Sequence, residues 1–487
     1  MNDARVDIGL LDQIEKKLRR FSLKSKLEFL RKLHHSTYPF LKSKKFFNVK
    51  GQVWGHEIAY LALVSTKETE WSYKTQEFSF KDFKSILRLY RNYSAPFVHQ
   101  NDPGLPNEKA IKHFTVRMGL QQFPYQRHPL TGFYRYQFLF NYENDRFSVK
   151  RKFKQYFGHE YNEFLIVAIW LYAYSLNTKS HCNSEELSEL IISDTNFKKD
   201  QIKHILSFFT TNRDDFQKNY LKTKSDDTRM RVYDFNPYLS KPLLDYGDGS
   251  FLFPMPFMIF IAVTEGMYHQ ISSYYGNQFK SLFGKYAFED YIEHLLDLHS
   301  YNFIKEFKFN KGDDSPDFIL IKGDHLILME LKSRVPIMKL RTTDNLNYVE
   351  ELKKSYGAAV TQCLKKEAFI KQGKLKHDKI PKNIKRYSHI ALTLEDNNVV
   401  DSGTIEKIAN DKGVSQIESF YHTMGASTLE LILEQDQRDL FSFCLDREEN
   451  ETTYSHYVDA DIKKKNVIKT TRDREVYERL KTTEIFK

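Results

Sequence analysis

Asp317, Glu330 and Lys332 stand out in the stretch SPDFILIKGDHLILMELKSR, residues 315–334, because each charges a segment that is otherwise strongly apolar. A two-residue turn at Gly323-Asp324, with glycine at its first central position, joins the two apolar runs as a β-hairpin. Opposed residues of an antiparallel pair keep a constant sum of numbers. Lys322 opposite His325 therefore sets Asp317 opposite Glu330, with Cβ atoms roughly 5 Å apart. Lys332, two residues on, projects from the same face. Two carboxylates facing each other on a half-buried sheet destabilise it. A divalent cation between them removes the conflict, and a hard ion such as Mg²⁺ takes carboxylate oxygens while keeping several waters. Lys332 would then orient or deprotonate the attacking water, or stabilise a developing phosphorane. Two carboxylates and a lysine at one metal are the least that phosphodiester hydrolysis needs.

Flanking segments supply further candidates. LFGKYAFEDYIEHLLDL upstream has Leu282, Tyr286, Ile292 and Leu296 near one helical face, and Glu289 falls inside that apolar stripe, where a carboxylate needs a partner. Asp290 and Glu293 are its weaker neighbours. Downstream, SYGAAVTQCLKKEAFI predicts a helix with small residues suited to close packing on a sheet, and it carries Gln362. YNFIKEFKFN and RYSHIALTLED predict the outer strands.

Pro316-Asp317 followed by Glu330-Leu331-Lys332 resembles the signature of the PD-(D/E)xK nuclease superfamily, the restriction-endonuclease-like fold. The resemblance covers roughly residues 277–396 and implies an αβββαβ core. It implies Asp317, Glu330 and Glu289 as metal ligands, Lys332 as the catalytic lysine, and Mg²⁺ as the cofactor, with Mn²⁺ able to substitute. Gln362 resembles the glutamine that RecB-like members carry after the lysine, although Lys366 stands where their tyrosine often follows. The implied activity is endonucleolytic hydrolysis of DNA, duplex first, leaving 5′-phosphate and 3′-hydroxyl ends. Family habit further implies a prokaryotic restriction or anti-phage defence effector. Cutting both strands needs two active centres, which points to a homodimer or a partner defence subunit. The same site would support RNA cleavage. A non-catalytic DNA-binding or assembly protein that keeps the nuclease fold as scaffold is the reading from a different class.

The elements around this core set the expected architecture, an α+β or α/β chain with a mostly helical N-terminal half. Residues 1–158 form a basic helical region, whose first 50 residues hold 13 Lys and Arg against 5 Asp and Glu. LLDQIEKKLRRF and KLEFLRKLHH both show helical apolar spacing. NDPGLPNEK, residues 101–109, is the clearest loop. Residues 159–255 read as a winged-helix-like segment: three short helices, a strand-like RMRVYDFNPYL, and a hairpin at the Gly-Asp-Gly of SKPLLDYGDGSFLF. Its third helix would offer Lys198, Lys199, Gln201 and Lys203 to DNA, although such units also serve as scaffolds. Residues 256–445 form the nuclease domain and 446–487 a charged tail.

The 487 residues, 41% hydrophobic and 15% aromatic, are ample for more than one core. Lys and Arg exceed Asp and Glu by 74 to 64, an excess that suits a polyanion and equally a solvated surface. Three scattered cysteines with no CxxC pair exclude a disulfide framework, and the N-terminus is charged too early for a secretory signal, so a cytoplasmic protein without a membrane span is expected. His34-His35, His56 with Glu57 and His159 with Glu160 lack metal-ligand spacing. No phosphate loop, dinucleotide turn or serine elbow occurs, so ATP, where the system uses it, comes from another subunit.

Overall fold

The computed structural model describes residues 8–37, 53–71, 76–94, 119, 122–125, 132–176, 182–226, 228–247, 249–310, 312–335, 345–396, 402–414, 419–434 and 439–449. The loop expected at 101–109 and most of the charged tail lie outside them. The chain is a mixed α+β protein, and among the described residues no helix is long and apolar enough to cross a membrane.

Its main sheet has five strands, numbered here β1 (Phe303–Lys305), β2 (Phe318–Lys322), β3 (His325–Lys332), β4 (Arg386–Thr393) and β5 (Tyr421–Gly425), in the spatial order β5-β4-β3-β2-β1. Gly323 takes φ 61° in the turn between β2 and β3, where a side chain would be strained. Phe318 pairs with Met329 and Lys322 with His325, the register that the turn predicts. β4 runs parallel to β3, with Thr393 beside Lys332, and β5 runs parallel to β4. A parallel step needs a crossover, and the helix Tyr356–Lys371 lies within it. Both faces of the sheet are covered, which is why β2 to β4 read as near-continuous apolar runs. Phe318, Leu320, Ile327 and Met329 face the helix Glu289–Leu298, while Ile319, Ile321, Leu326 and Leu328 face the opposite way, towards Cys363 of the crossover helix.

Two expected strands are corrected. YNFIKEFKFN does not run through: Phe303–Lys305 belongs to the main sheet, whereas Lys308–Asn310 pairs in a separate ribbon with Asp313–Asp314. RMRVYDFNPYL is no strand but two 3₁₀ turns, Thr228–Tyr233 and Pro237–Leu239. Val232 with Tyr233 and Tyr238 with Leu239 bury as adjacent pairs rather than alternately, and Asn236 Oδ1 accepts from Tyr238 N at 3.1 Å. The hairpin expected in SKPLLDYGDGSFLF is present, Leu243–Asp245 against Ser250–Leu252, with Cys182–Asn183 pairing beside it.

The hydrophobic cores cross the expected domain boundaries. One core takes in Leu11 to Leu33, Ile58 to Val64 and Phe83 to Tyr93, then gathers Phe216, Tyr238 and Met258 from far along the chain. A second runs from Phe133 through Phe164 and Ile205 to Tyr291 and the sheet, so residues 133–157 pack with the sheet rather than with the first helices. A buried ion network fastens this union. Arg135, on the helix Phe133–Phe140, donates to Glu430 Oε1 at 2.6 Å and to Glu395 Oε1 at 2.8 Å, while Tyr136 and Tyr291 hydroxyls donate to the same two carboxylates. Removing the cation leaves two buried carboxylates uncompensated. Arg135→Met is expected to cost about 3–5 kcal/mol and to bring the urea transition forward; a loss under about 1 kcal/mol would show that the network contributes no more than a surface pair.

Candidate metal-binding cleft

The cleft forms at the C-terminal end of β3, where helix, hairpin and strand end converge. Asp317 sits one residue before β2. Its carbonyl accepts from Glu306 N at 3.0 Å, prolonging the β1–β2 ladder, and its Oδ2 accepts from Leu331 N at 2.5 Å. The side chain is thus held against β3 by the backbone of the residue after Glu330. Glu330 is 3% exposed, and Lys332 Nζ lies 3.5 Å from its Oε2.

Glu289 arrives from the other face of the sheet. A long helical run from Met258 to Leu298 contains a π-helical turn at Phe283–Phe288, immediately before Glu289. The wider turn rotates the following residue relative to a regular helix. Phe288, Tyr291 and Ile292 stay buried while Glu289 reaches the cleft that Asp317 and Lys332 line. Gly284 permits the approach: a Cβ there would stand 2.5 Å from Ser333 Oγ. The cleft encloses about 290 Å³.

The electrostatics report a crowd of carboxylates. Burial, then the Asp317 charge, then Glu306 push Glu289 up to about 8. Burial and the Asp317 charge likewise push Glu330 up to about 8, against the pull of Lys332 and Lys366. Asp317 is raised by burial too, opposed by its hydrogen bond from Leu331 and by Lys332 and Lys285. Carboxylates kept this close and this dry favour either protons or a cation. Their hard oxygen donors are of the kind Mg²⁺ takes; Asp317 and Glu289 line the cleft, and Glu330, which does not line it, lies beside Lys332. Among the described residues no three His, Cys, Asp or Glu side chains already stand in a ligating arrangement. Mg²⁺ does not require one, because it is generally bound through one or two carboxylates, waters and substrate phosphate.

The other expected residues fare differently. Asp290 and Glu293 bind Lys305 at 3.5 and 2.5 Å, and Asp290 also accepts from Tyr142 OH at 2.6 Å. Gln362 is exposed and does not line the cleft: Ala359, Val360 and Cys363 turn their side of the helix to the core, which carries Gln362 away. On the third helix of the 159–255 region, Lys199 and Lys203 both pair with Glu185, the latter at 2.7 Å. Gln201 donates to Glu163 at 2.5 Å and accepts from Lys198 N, so three of these four residues are engaged within the protein.

Sequence reasoning missed Lys285, Ser333, Arg334 and Lys354, which also line the cleft. Lys285 stands one helical turn before Glu289 and Arg334 two residues after Lys332, so both were readable from spacing. Lys354 has no such signal, since it ends a separate helix, Asn345–Lys354. Lys366, in the place of the family tyrosine, donates to the carbonyl of Asp314 and pulls on Glu330. No protein-family model, curated protein or solved structure matches the chain.

The raised carboxylates set a pH dependence. Glu289 and Glu330 release their protons near 4.5 in the unfolded chain and near 8 in the folded one, so the folded state holds more protons between those values. The contribution of these two carboxylates to the stability of the metal-free protein is therefore full below the lower value and is lost as pH rises towards 8. In urea melts in EDTA across this window, wild type should lose stability relative to Glu330→Gln as pH rises. A difference between the two proteins that stays constant with pH, or moves the other way, would contradict the assignment.

Proposed function

We propose that the chain is a metal-dependent nuclease that hydrolyses DNA phosphodiester bonds. The observation that carries this reading is the convergence of Glu289, Asp317 and Lys332 on one cleft, with Glu330 beside Lys332 and the carboxylates pushed up by burial and mutual repulsion. A helix, three antiparallel strands, a crossover helix and a parallel strand follow one another in the chain, and this order supports a restriction-endonuclease-like core. Helices 161–176, 184–194 and 199–209 with the small sheet beside them support a winged-helix reading of the middle region, with an extra helix, Arg213–Thr223, set before the hairpin.

In this reading Asp317, Glu330 and Glu289 would hold the cation, and Lys332 would move or hold a proton at the attacking oxygen. Lys285, Arg334 and Lys354 neutralise the phosphate that enters the cleft. A bound Mg²⁺ would supply polarisation of the phosphoryl group. DNA is the substrate, Mg²⁺ the cofactor, and a homodimer or a partner defence subunit the second active centre. The restriction or anti-phage role rests on the signature residues alone.

Purified protein incubated with supercoiled plasmid, linear duplex, single-stranded DNA and RNA, in Mg²⁺, Mn²⁺ or EDTA, tests the reading. Wild type should cut with either metal and not in EDTA. Asp317→Ala and Lys332→Ala should each lose at least about 100-fold in rate. Cleavage that survives both substitutions removes these residues from the site, and silence on every substrate favours the scaffold alternative.

A further inference from the structure

A second surface, apart from the carboxylates, has the chemistry to bind nucleic acid. The helix Val149–Phe157, VKRKFKQYF, carries Lys150, Arg151, Lys152 and Lys154 and no acidic residue. Arg151 and Lys154 are paired with Glu143 and Glu160, at 2.9 and 3.3 Å. Lys150 and Lys152 form no ion pair among the described residues. Lys152 Nζ instead lies 4.5 Å from the centre of the Tyr275 ring. Beside it, Tyr274 is 68% exposed, the most exposed of the large hydrophobic side chains among the described residues. Its ring lies 4.8 Å from Tyr156 and 4.9 Å from Tyr275, so three tyrosines and a lysine form one aromatic and cationic step on the surface.

The backbone holds that step in place. Gly276, next in the chain, has φ 73° and ψ −156°, a conformation that essentially only glycine adopts, and it breaks the helix directly after the tyrosine pair. Beyond the break the same helical run carries exposed Lys280 and then Lys285, which lines the carboxylate cleft. Tyr274 and Lys285 are eleven residues apart in the chain, on either side of that break. The tyrosines, the two lysines and the cleft thus follow one another in chain order across the break.

We propose that this surface binds an unpaired nucleic-acid strand, stacking a base on Tyr274 and guiding the backbone past Lys280 and Lys285 into the cleft. An exposed ring face suits unpaired bases, because in a duplex the base faces are already covered by stacking, and alternating aromatic and cationic groups are how single strands are held without sequence readout. The binding surface stands by itself; its delivery role rests on the nuclease reading.

The test measures anisotropy of short labelled single-stranded DNA, single-stranded RNA and DNA duplex with the full-length Asp317→Ala protein in EDTA, so that binding is read without cleavage. An unpaired strand, DNA or RNA, should bind more tightly than the duplex. Tyr274→Ala should weaken that binding about five-fold to a hundred-fold while Tyr274→Phe retains it. Lys152→Gln should lower the slope of log affinity against log salt by about 0.7. Tyr274 is on the surface, so its loss leaves the fold intact. Unchanged single-strand binding in Tyr274→Ala, or equal losses for single strand and duplex, overturns the proposal, as does a protein that binds neither. Cleavage assays judge the other reading separately: cutting that persists while Tyr274→Ala binds normally spares the nuclease and removes the path, whereas the expected binding losses with no cleavage of any substrate do the reverse.

Discussion

The antiparallel pairing of β2 with β3 is the constraint from which the candidate site follows. Side chains on a strand alternate with a period of two, so a slip of one residue would send Glu330 and Lys332 to the other face and Asp317 away from both. Gly323 prevents the slip by closing the hairpin in two residues, and the apolar runs on either side reinforce the register because both of their faces are buried. Asp317 adds a side-chain bond to Leu331 N where the ladder between the two strands ends. The acidic residue that the hairpin should least tolerate also ties its open end together.

Burial explains both the cost and the use of the arrangement. A carboxylate in a dry setting prefers to be neutral, and a second one beside it strengthens that preference. Glu289 and Glu330 are displaced far enough to titrate near neutrality, while Lys332, Lys285 and Lys366 counter part of the displacement. Fixed cations and crowded carboxylates therefore meet in one cleft, each countering part of the other's charge.

The rest of the molecule steadies the helix that brings Glu289. Tyr291, two residues on, donates to Glu430, which Arg135 binds together with Glu395 at the end of β4. The same helix packs against residues 133–157 and against the sheet, so the early helical region buttresses the cleft directly. Gly284 and the π-helical turn then set how close and at what angle the helix meets Ser333.

Local chemistry determined the hairpin, its register and the apolar strands. These features depend on residues a few positions apart, so spacing alone reveals them. Glu289 was legible as a carboxylate out of place in an apolar stripe, although not the π-helical turn that aims it. The 3₁₀ turns at 228–239 were not legible, because paired aromatic and aliphatic residues there mimic a strand until the partners that bury them are known. Tertiary structure alone decided that Gln362 faces solvent, that Glu185 takes up Lys199 and Lys203, and that Lys354 joins the cleft. It also joined Arg135 to carboxylates 260 and 295 residues away. Such contacts arise from how separate elements pack, and no periodicity within one element encodes which distant charge will meet it.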